Sequence, residues 1–109
     1  MIIVFVGAVL FMIFALYGIM SKNAVPVAIK ECQTLCKYAN DENVSMGEGP
    51  CLSELYPDKW KVPGWVCDVA HAPRQSVDDL PENQCRAFRE GRAQHFVELD
   101  ENCNVIRVY

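Results

Sequence analysis

Charged and strongly polar residues are missing from the start of the chain. No Asp, Glu, Lys, Arg, His, Asn, Gln or Pro lies between Met1 and Met20. A helix of this length spans roughly 30 Å, the thickness of the hydrocarbon core of a bilayer, and it satisfies its own backbone hydrogen bonds in lipid. We therefore predict a transmembrane anchor helix over residues 1–21.

The features of a cleaved secretory signal are also missing. No basic residue precedes Lys22, and no Ala-x-Ala cleavage site follows the apolar run. A secretory signal has a charged amino end, a shorter apolar core and small residues before the cut. We expect the segment to be retained as a signal-anchor of a single-pass membrane protein.

The chain has no excess of positive charge. It contains 10 Lys and Arg against 14 Asp and Glu, a net charge of −4. Nucleic-acid-binding domains normally carry a clustered basic face, so we expect no nucleic-acid partner. Gly47-Glu48-Gly49 is not followed by the Lys-Ser/Thr of a phosphate-binding loop. We predict neither a cofactor nor a small-molecule substrate.

The cysteine spacing lacks the repeated close pairs of a structural zinc site. Cys32 and Cys36 are a close pair, but they have three residues between them, unlike the two of thiol oxidoreductase motifs. An even number of cysteines in a small tethered domain indicates disulfides formed in an oxidising compartment. We predict no metal ligands and six disulfide cysteines, in any of 15 pairings: Cys32, Cys36, Cys51, Cys67, Cys85 and Cys103.

The orientation in the membrane depends on two opposing signals. Lys22, Lys30 and Lys37 follow the apolar run, and by the positive-inside rule they favour a cytoplasmic domain. The cysteines favour the opposite side, and Asn43-Val44-Ser45 is a sequon that makes Asn43 a candidate for N-glycosylation. Because disulfides need an oxidising compartment, we expect an extracytoplasmic domain.

Helical periodicity is clearest directly after the anchor. Small and apolar side chains recur at helical spacing and place both cysteines of the close pair on one buried stripe, from which each would reach another segment: Ala28, Cys32, Leu35, Cys36 and Ala39. We predict a juxtamembrane amphipathic helix over residues 22–40. Residues 41–109 then form a small Cys-rich α+β domain that packs against residues 27–40.

The rest of the chain predicts short elements. Residues 40–63 are rich in residues that break helices and strands, and we predict a single helical turn there, at 53–56. Trp60 and Trp65 are predicted to be core side chains. A strand follows at 65–70, then a second helix from about residue 80 to Glu90, which ends at Gly91. That helix should bury Leu80, Cys85 and Phe88. Strands at 94–99 and 103–109 form a C-terminal hairpin. The predicted fold class is thus α+β, with a transmembrane helix, two further helices and a short antiparallel sheet.

Few side chains suggest catalysis. Cys67, His71 and His95 are of the residue types that form metal sites or Cys/His nucleophile pairs. Their spacing in the sequence matches neither kind of site, so we favour structural roles for all three. Asp78 and Asp79, which with Asp68 could pair as carboxylates, are explained as helix-start residues. We predict no catalytic residues and no enzyme activity.

A partial basic stripe lies on the predicted second helix. Arg86, Arg89 and Arg92 are spaced i, i+3 and i+6. Either they form a solvated face with nearby glutamates, or they contact lipid phosphates or an acidic protein partner.

These features predict a membrane-anchored, extracytoplasmic structural or interaction module, such as an accessory subunit of a membrane complex. Small residues in the anchor allow helix packing, and hence self-association: Gly7, Ala8, Ala15 and Gly18. The order of elements also resembles that of the type IV pilins in outline: an apolar helix, a shift at Pro26 to an amphipathic continuation, a loop and a Cys-containing sheet. That resemblance implies a filament subunit, although no acidic residue lies near the start of the apolar run. A metal-binding or thiol-redox protein is a further alternative.

Overall fold

A computed structural model describes residues 24–109 of the chain. The predicted anchor, residues 1–21, lies outside the described residues. Within the described part, none of the helices combines the length and the apolar character that crossing a membrane requires.

The first described helix, α1, runs over Ala24–Asp41 and packs through the predicted stripe. Its five buried side chains are those the periodicity indicated: Ala28, Cys32, Leu35, Cys36 and Ala39. The helix stops where Asn43 adopts a left-handed conformation (φ 61°). The amide of Val44 then donates to the carbonyl oxygen of Ala39 at 3.0 Å, which satisfies an otherwise free carbonyl at the helix end.

Three strands form one mixed sheet in the order β1-β2-β3. They are β1 (Trp65–Val69), β2 (His95–Leu99) and β3 (Val105–Val108). The hairpin of β2 and β3 is antiparallel, as predicted, but β1 pairs with β2 in parallel. The predicted all-antiparallel sheet is therefore wrong. Residues 70–94 cross from the end of β1 back to the end of the sheet where β1 began, as a parallel pair requires.

The predicted second helix is also wrong over most of its length. The chain instead forms two 3-10 turns, Ser76–Asp79 and Pro81–Asn83, and then the short helix α3 (Arg86–Arg89). Leu80 and Gln84 have extended backbone conformations that interrupt the helix. Leu80 and Phe88 are 42% and 36% exposed, so this segment has no continuous apolar face to bury; of its three expected core residues, Cys85 alone is buried. With α2 (Leu52–Leu55), the described domain has three α-helices.

All six predicted disulfide cysteines are paired. Cys32–Cys67 links α1 to β1, and Cys36–Cys103 links α1 to the turn between β2 and β3. Cys51–Cys85 links the residue before α2 to the residue before α3. Cys32 and Cys36 thus each reach a distant segment, as predicted.

The alternation of side chains along β1 and β2 gives the sheet two different faces. The helix face packs against α1 with Trp65, Cys67, Val69, Val97 and Leu99, all 7% exposed or less. Trp60 contributes to this core, donating from its indole N–H to the carbonyl oxygen of Trp65 at 2.8 Å. The opposite face, which we call the pocket face, carries a smaller cluster around Val66, Phe96 and the Cys51–Cys85 disulfide.

Candidate functional site

A row of charged side chains crosses the pocket face of the sheet. Asp68 on β1 is in register with Glu98 on β2, and Glu98 is in register with Arg107 on β3. Side chains at such positions point to the same face of the sheet and lie next to one another. The strand pairing therefore brings two carboxyl groups and a guanidinium together.

This row borders a pocket of about 210 Å³. One side of the pocket is aromatic, because the ring of Phe88, on α3, meets the ring of Phe96 edge-on at 5.0 Å between centroids. The Cys51–Cys85 disulfide fixes the start of α3, and α3 carries both Phe88 and Arg89 to the pocket.

Asp68 is the most perturbed acid in this pocket. Its Oδ1 atom is buried and has no hydrogen-bond partner among residues 24–109. Burial, and then the nearby charge of Glu98, raise the pKa of Asp68 to about 8. The carboxyl group is consequently mostly protonated and neutral at pH 7.

Glu98 is only 7% exposed, and its carboxylate is paired with a cation. The Nη1 atom of Arg74 lies 3.4 Å from its Oε2, while the Nε of the same guanidinium lies 2.8 Å from Oδ1 of Asp79. The hydrogen bond to Asp79, and then the charge of Glu98, raise the pKa of Arg74 despite some desolvation. Arg74 is thus committed to acidic partners inside the protein.

The other two arginines of the pocket are not committed in this way. Arg107 lies over the ring of Phe96, with its guanidinium carbon 5.0 Å from the centroid. Arg89 contacts the carbonyl oxygen of Pro81 at 3.5 Å. Among the described residues, neither arginine forms an ion pair with a carboxylate. Both are exposed at the mouth of the pocket and are available to an incoming group.

A second titratable cluster closes the end of the sheet next to a polar pocket of about 350 Å³. The Nδ1 of His71 lies 2.9 Å from Oδ1 of Asp78, and its Nε2 lies 2.8 Å from Oε1 of Glu101. The hydrogen bond to Asp78 is the main cause that raises the pKa of His71. Burial opposes ionisation of Asp78, but hydrogen bonds from the backbone amides of Gln75 and His71 outweigh it and lower its pKa. The Oδ2 of Asp78 also accepts from the amide of Gln75, the N-cap of the first 3-10 turn, at 2.9 Å; Asp78 thus lies within this short turn and not at the start of the longer helix predicted there.

The structure does not bring Cys67, His71 and His95 together as a metal or nucleophile site. Cys67 is bonded to Cys32, and His71 is held between two carboxylates. The ring of His95 stacks on Trp65, with centroids 4.8 Å apart. One cluster of metal-ligand types does occur among the described residues, Cys51, Glu54 and Cys85, but its two sulfur atoms are bonded to each other and are not thiolates.

The predicted basic stripe is not on one helix. α3 ends at Arg89, and Gly91 follows with φ 78°, so Arg92 lies beyond the helix. Arg86 and Arg92 each pair with Glu90, at 3.5 and 2.7 Å. Arg89 alone of the three lines the pocket. Asn43 is exposed in the turn after α1, and its glycosylation stays a prediction.

The importance of Glu98, Arg74 and Arg107 was missed from the sequence, and Asp68 was noticed without its partner. One signal was present: an acid is the fourth residue of both Trp65-Val66-Cys67-Asp68 and His95-Phe96-Val97-Glu98. In two half-buried strands, matching acids become neighbours if the strands pair in parallel and in register, as they do here.

The pocket combines an aromatic wall, two guanidinium groups without a carboxylate partner among the described residues, and a neutral acid with one buried oxygen. Binding sites of this kind are apolar cavities with a few well-placed polar groups. Comparisons with protein-family models, curated proteins and solved structures find no match for this chain.

Proposed function

We propose that this protein is an extracytoplasmic interaction module, held at a membrane by its apolar segment 1–21 and acting through contacts rather than catalysis. The single observation that carries this proposal is the pairing of all six cysteines. Disulfides form and persist in oxidising compartments, and a small domain depends on such cross-links for stability. An apolar run directly before such a domain suits an anchor.

The use of the reactive side chains supports a non-catalytic role. The cysteines are in disulfides, and His71 and His95 are engaged by carboxylates and by an indole ring. A nucleophile normally needs a base within hydrogen-bond reach. Among residues 24–109, the cysteines and histidines take part in such internal contacts instead.

The pocket face is the surface through which we propose that the module acts, for instance as an accessory subunit of a membrane complex. The helix face is covered by α1, whereas the pocket face presents the cavity, the two uncommitted arginines and an aromatic cluster that includes the 68% exposed Tyr109. Aromatic and arginine side chains are enriched at binding hot spots.

Membrane extraction tests the anchor. Wild-type chain should stay in the membrane pellet in alkaline carbonate, whereas Leu10→Asp with Phe11→Asp should be released, because charge at the centre of a span is costly. Leu10→Ala with Phe11→Ala is the matched control and should stay in the pellet. Release of the wild-type chain would contradict the anchor.

Glycosylation in microsomes tests the side of the membrane. A domain translocated into the lumen should gain one glycan at Asn43, in the sequon Asn43-Val44-Ser45. Ser45→Ala should abolish the glycan, and Ser45→Thr, which keeps the sequon, should retain it. A chain digested by protease added outside the microsomes would place the domain in the cytoplasm.

A pilin-like filament subunit is the second candidate, and one observation favours it. Val25 and Val27, at the start of α1, are 43% and 50% exposed. They would continue the apolar surface of segment 1–21 into a helix core shared between subunits. Electron microscopy of native material would show fibres in that case, and mass spectrometry would show a processed, methylated amino terminus.

A metal-binding or thiol-redox protein is the remaining alternative. It would require reduced cysteines, since disulfide sulfur does not replace thiolate as a ligand. Stoichiometric zinc or iron together with free thiols in native material would support it and would contradict the proposed module.

A further inference from the structure

We propose that the pocket between the sheet and α3 binds a small carboxylate joined to an apolar ring or chain, with the carboxylate at Arg89 and Arg107 and the apolar part against Phe88 and Phe96. This inference rests on the proposed role of the pocket face as the binding surface. It does not depend on the anchor.

The balance of charge favours an anion. Three arginines and two acids line the pocket, and Arg74 is already engaged by Asp79 and Glu98. Two guanidinium groups, those of Arg89 and Arg107, then remain for a ligand. A guanidinium group presents a planar fork of N–H donors that matches a carboxylate. A cationic ligand would meet both of them at the mouth and would be repelled.

The size and the walls of the pocket favour an apolar group of modest size. About 210 Å³ is smaller than a pocket for a drug-sized molecule. Phe88 and Phe96 meet edge-on, so part of the lining is aromatic and suits a ring or a short alkyl chain. A ligand of the size of benzoate meets these conditions.

Asp68 makes the predicted binding sensitive to pH. Near neutral pH its carboxyl is uncharged and does not repel a bound carboxylate, whereas above its pKa of about 8 it does. The charged groups that face it come from every neighbouring element: Glu98 on β2, Arg107 on β3, Arg89 on α3, and Arg74 and Asp78 in the connection after β1. Among these acids, Glu98 is paired with Arg74 and Asp78 with His71, whereas Oδ1 of Asp68 has no hydrogen-bond partner among the described residues.

A titration monitored by NMR tests the inference on the full chain in alkyl-maltoside micelles. Benzoate should give saturable shifts of the amides of Phe96, Glu98 and Arg107, with a dissociation constant in the millimolar range or tighter. Benzamide and benzylammonium, similar in shape but neutral and cationic, should bind at least about tenfold more weakly. No saturable shift with benzoate, or equal affinity for all three, would overturn the inference.

Arginine variants locate the carboxylate. Arg89→Gln and Arg107→Gln should each weaken benzoate binding about fivefold, the scale of one exposed ion pair. Arg107→Lys should weaken it less, because the charge is kept. Arg86→Gln and Arg92→Gln make the same change of charge outside the pocket and should leave binding as it is. An equal effect of all four glutamine variants would show a general charge effect and would contradict the site.

Two further arms complete the test. A peptide ending in Phe with a free carboxylate, compared with its amide, separates a polypeptide terminus from a free small acid as the source; selective binding of either acid supports the site. Benzoate affinity should fall between pH 7 and pH 9, and in Asp68→Asn this fall should be smaller than in the wild-type chain. If no acid binds while the chain stays in membranes with its disulfides formed, this inference fails and the proposed module stands.

Discussion

The two faces of the sheet differ in how they are held. The helix face is apolar, and two disulfides attach α1 across it, Cys32–Cys67 and Cys36–Cys103. The pocket face has one disulfide, Cys51–Cys85, and a row of charged side chains beside a cavity. One face is therefore filled by α1, and the other leaves a cavity and charged side chains exposed. Sites for binding often carry such local costs in stability.

Removing the disulfides one at a time should give the largest losses of stability on either face. The double variant Cys36→Ala with Cys103→Ala removes the disulfide that joins residues 67 positions apart in the sequence. Cys51→Ala with Cys85→Ala removes the one that joins residues 34 positions apart. Each loss should lower the free energy of unfolding by about 2–5 kcal/mol, and the longer loop should cost about 0.6 kcal/mol more. Denaturant unfolding measures both values. A larger loss from the pocket-face pair would reverse the comparison.

Asp68→Asn should stabilise the domain above pH 4. The pKa of Asp68 is higher in the folded state, at about 8, than its ordinary value of 3.8, so the folded state holds the proton more tightly. Wild-type stability should consequently fall, relative to the variant, as pH rises from 4 to 8. The gap should reach on the order of 4 kcal/mol at pH 7, since it grows by about 1.4 kcal/mol for each pH unit above the ordinary pKa of 3.8. Thermal unfolding at several pH values checks this, with the exposed Asp58→Asn as control; a gap independent of pH would contradict it.

Two valines on β1 offer a matched pair across the sheet. Val69 is 1% exposed on the helix face, and Val66 is 3% exposed on the pocket face. Val69→Ala should cost about 2 kcal/mol, since the core around it is closed, and Val66→Ala about 1 kcal/mol, since a cavity already adjoins it. Equal losses in denaturant unfolding would show that the pocket face is as tightly filled as the helix face.

His71 should have the smallest effect, at the end of the sheet. Its pKa is raised by Asp78, so its ion pairs stabilise the fold fully below its ordinary pKa of 6.5, and this contribution is lost as pH rises through the higher folded value. With Glu101 half exposed, the contribution should be below about 1 kcal/mol. His71→Gln should flatten the pH profile of stability in this window more than His95→Gln, which removes a histidine outside these ion pairs. Identical profiles of the two variants would contradict a contribution from the ion pairs of His71.

The sequence predicted the local features of the helix face. The buried stripe of α1 follows from the helical spacing of small and apolar residues, which is visible in the sequence. The strands predicted at 65–70 and 94–99 likewise follow from local sequence patterns. The pocket face was not predictable in the same way. Its row of Asp68, Glu98 and Arg107 depends on which strands pair, in which direction and in which register. These are long-range outcomes of packing and of the disulfides, which no local period encodes.

The most direct test of the account is the intact mass of the chain, taken from the cells that make it with free thiols trapped at lysis. Three disulfides predict no trapped thiol and a rise of about six mass units on reduction, two hydrogen atoms for each bond. That result would place the domain in an oxidising compartment. Six trapped thiols and no rise on reduction would contradict both the cross-linked domain and its extracytoplasmic location.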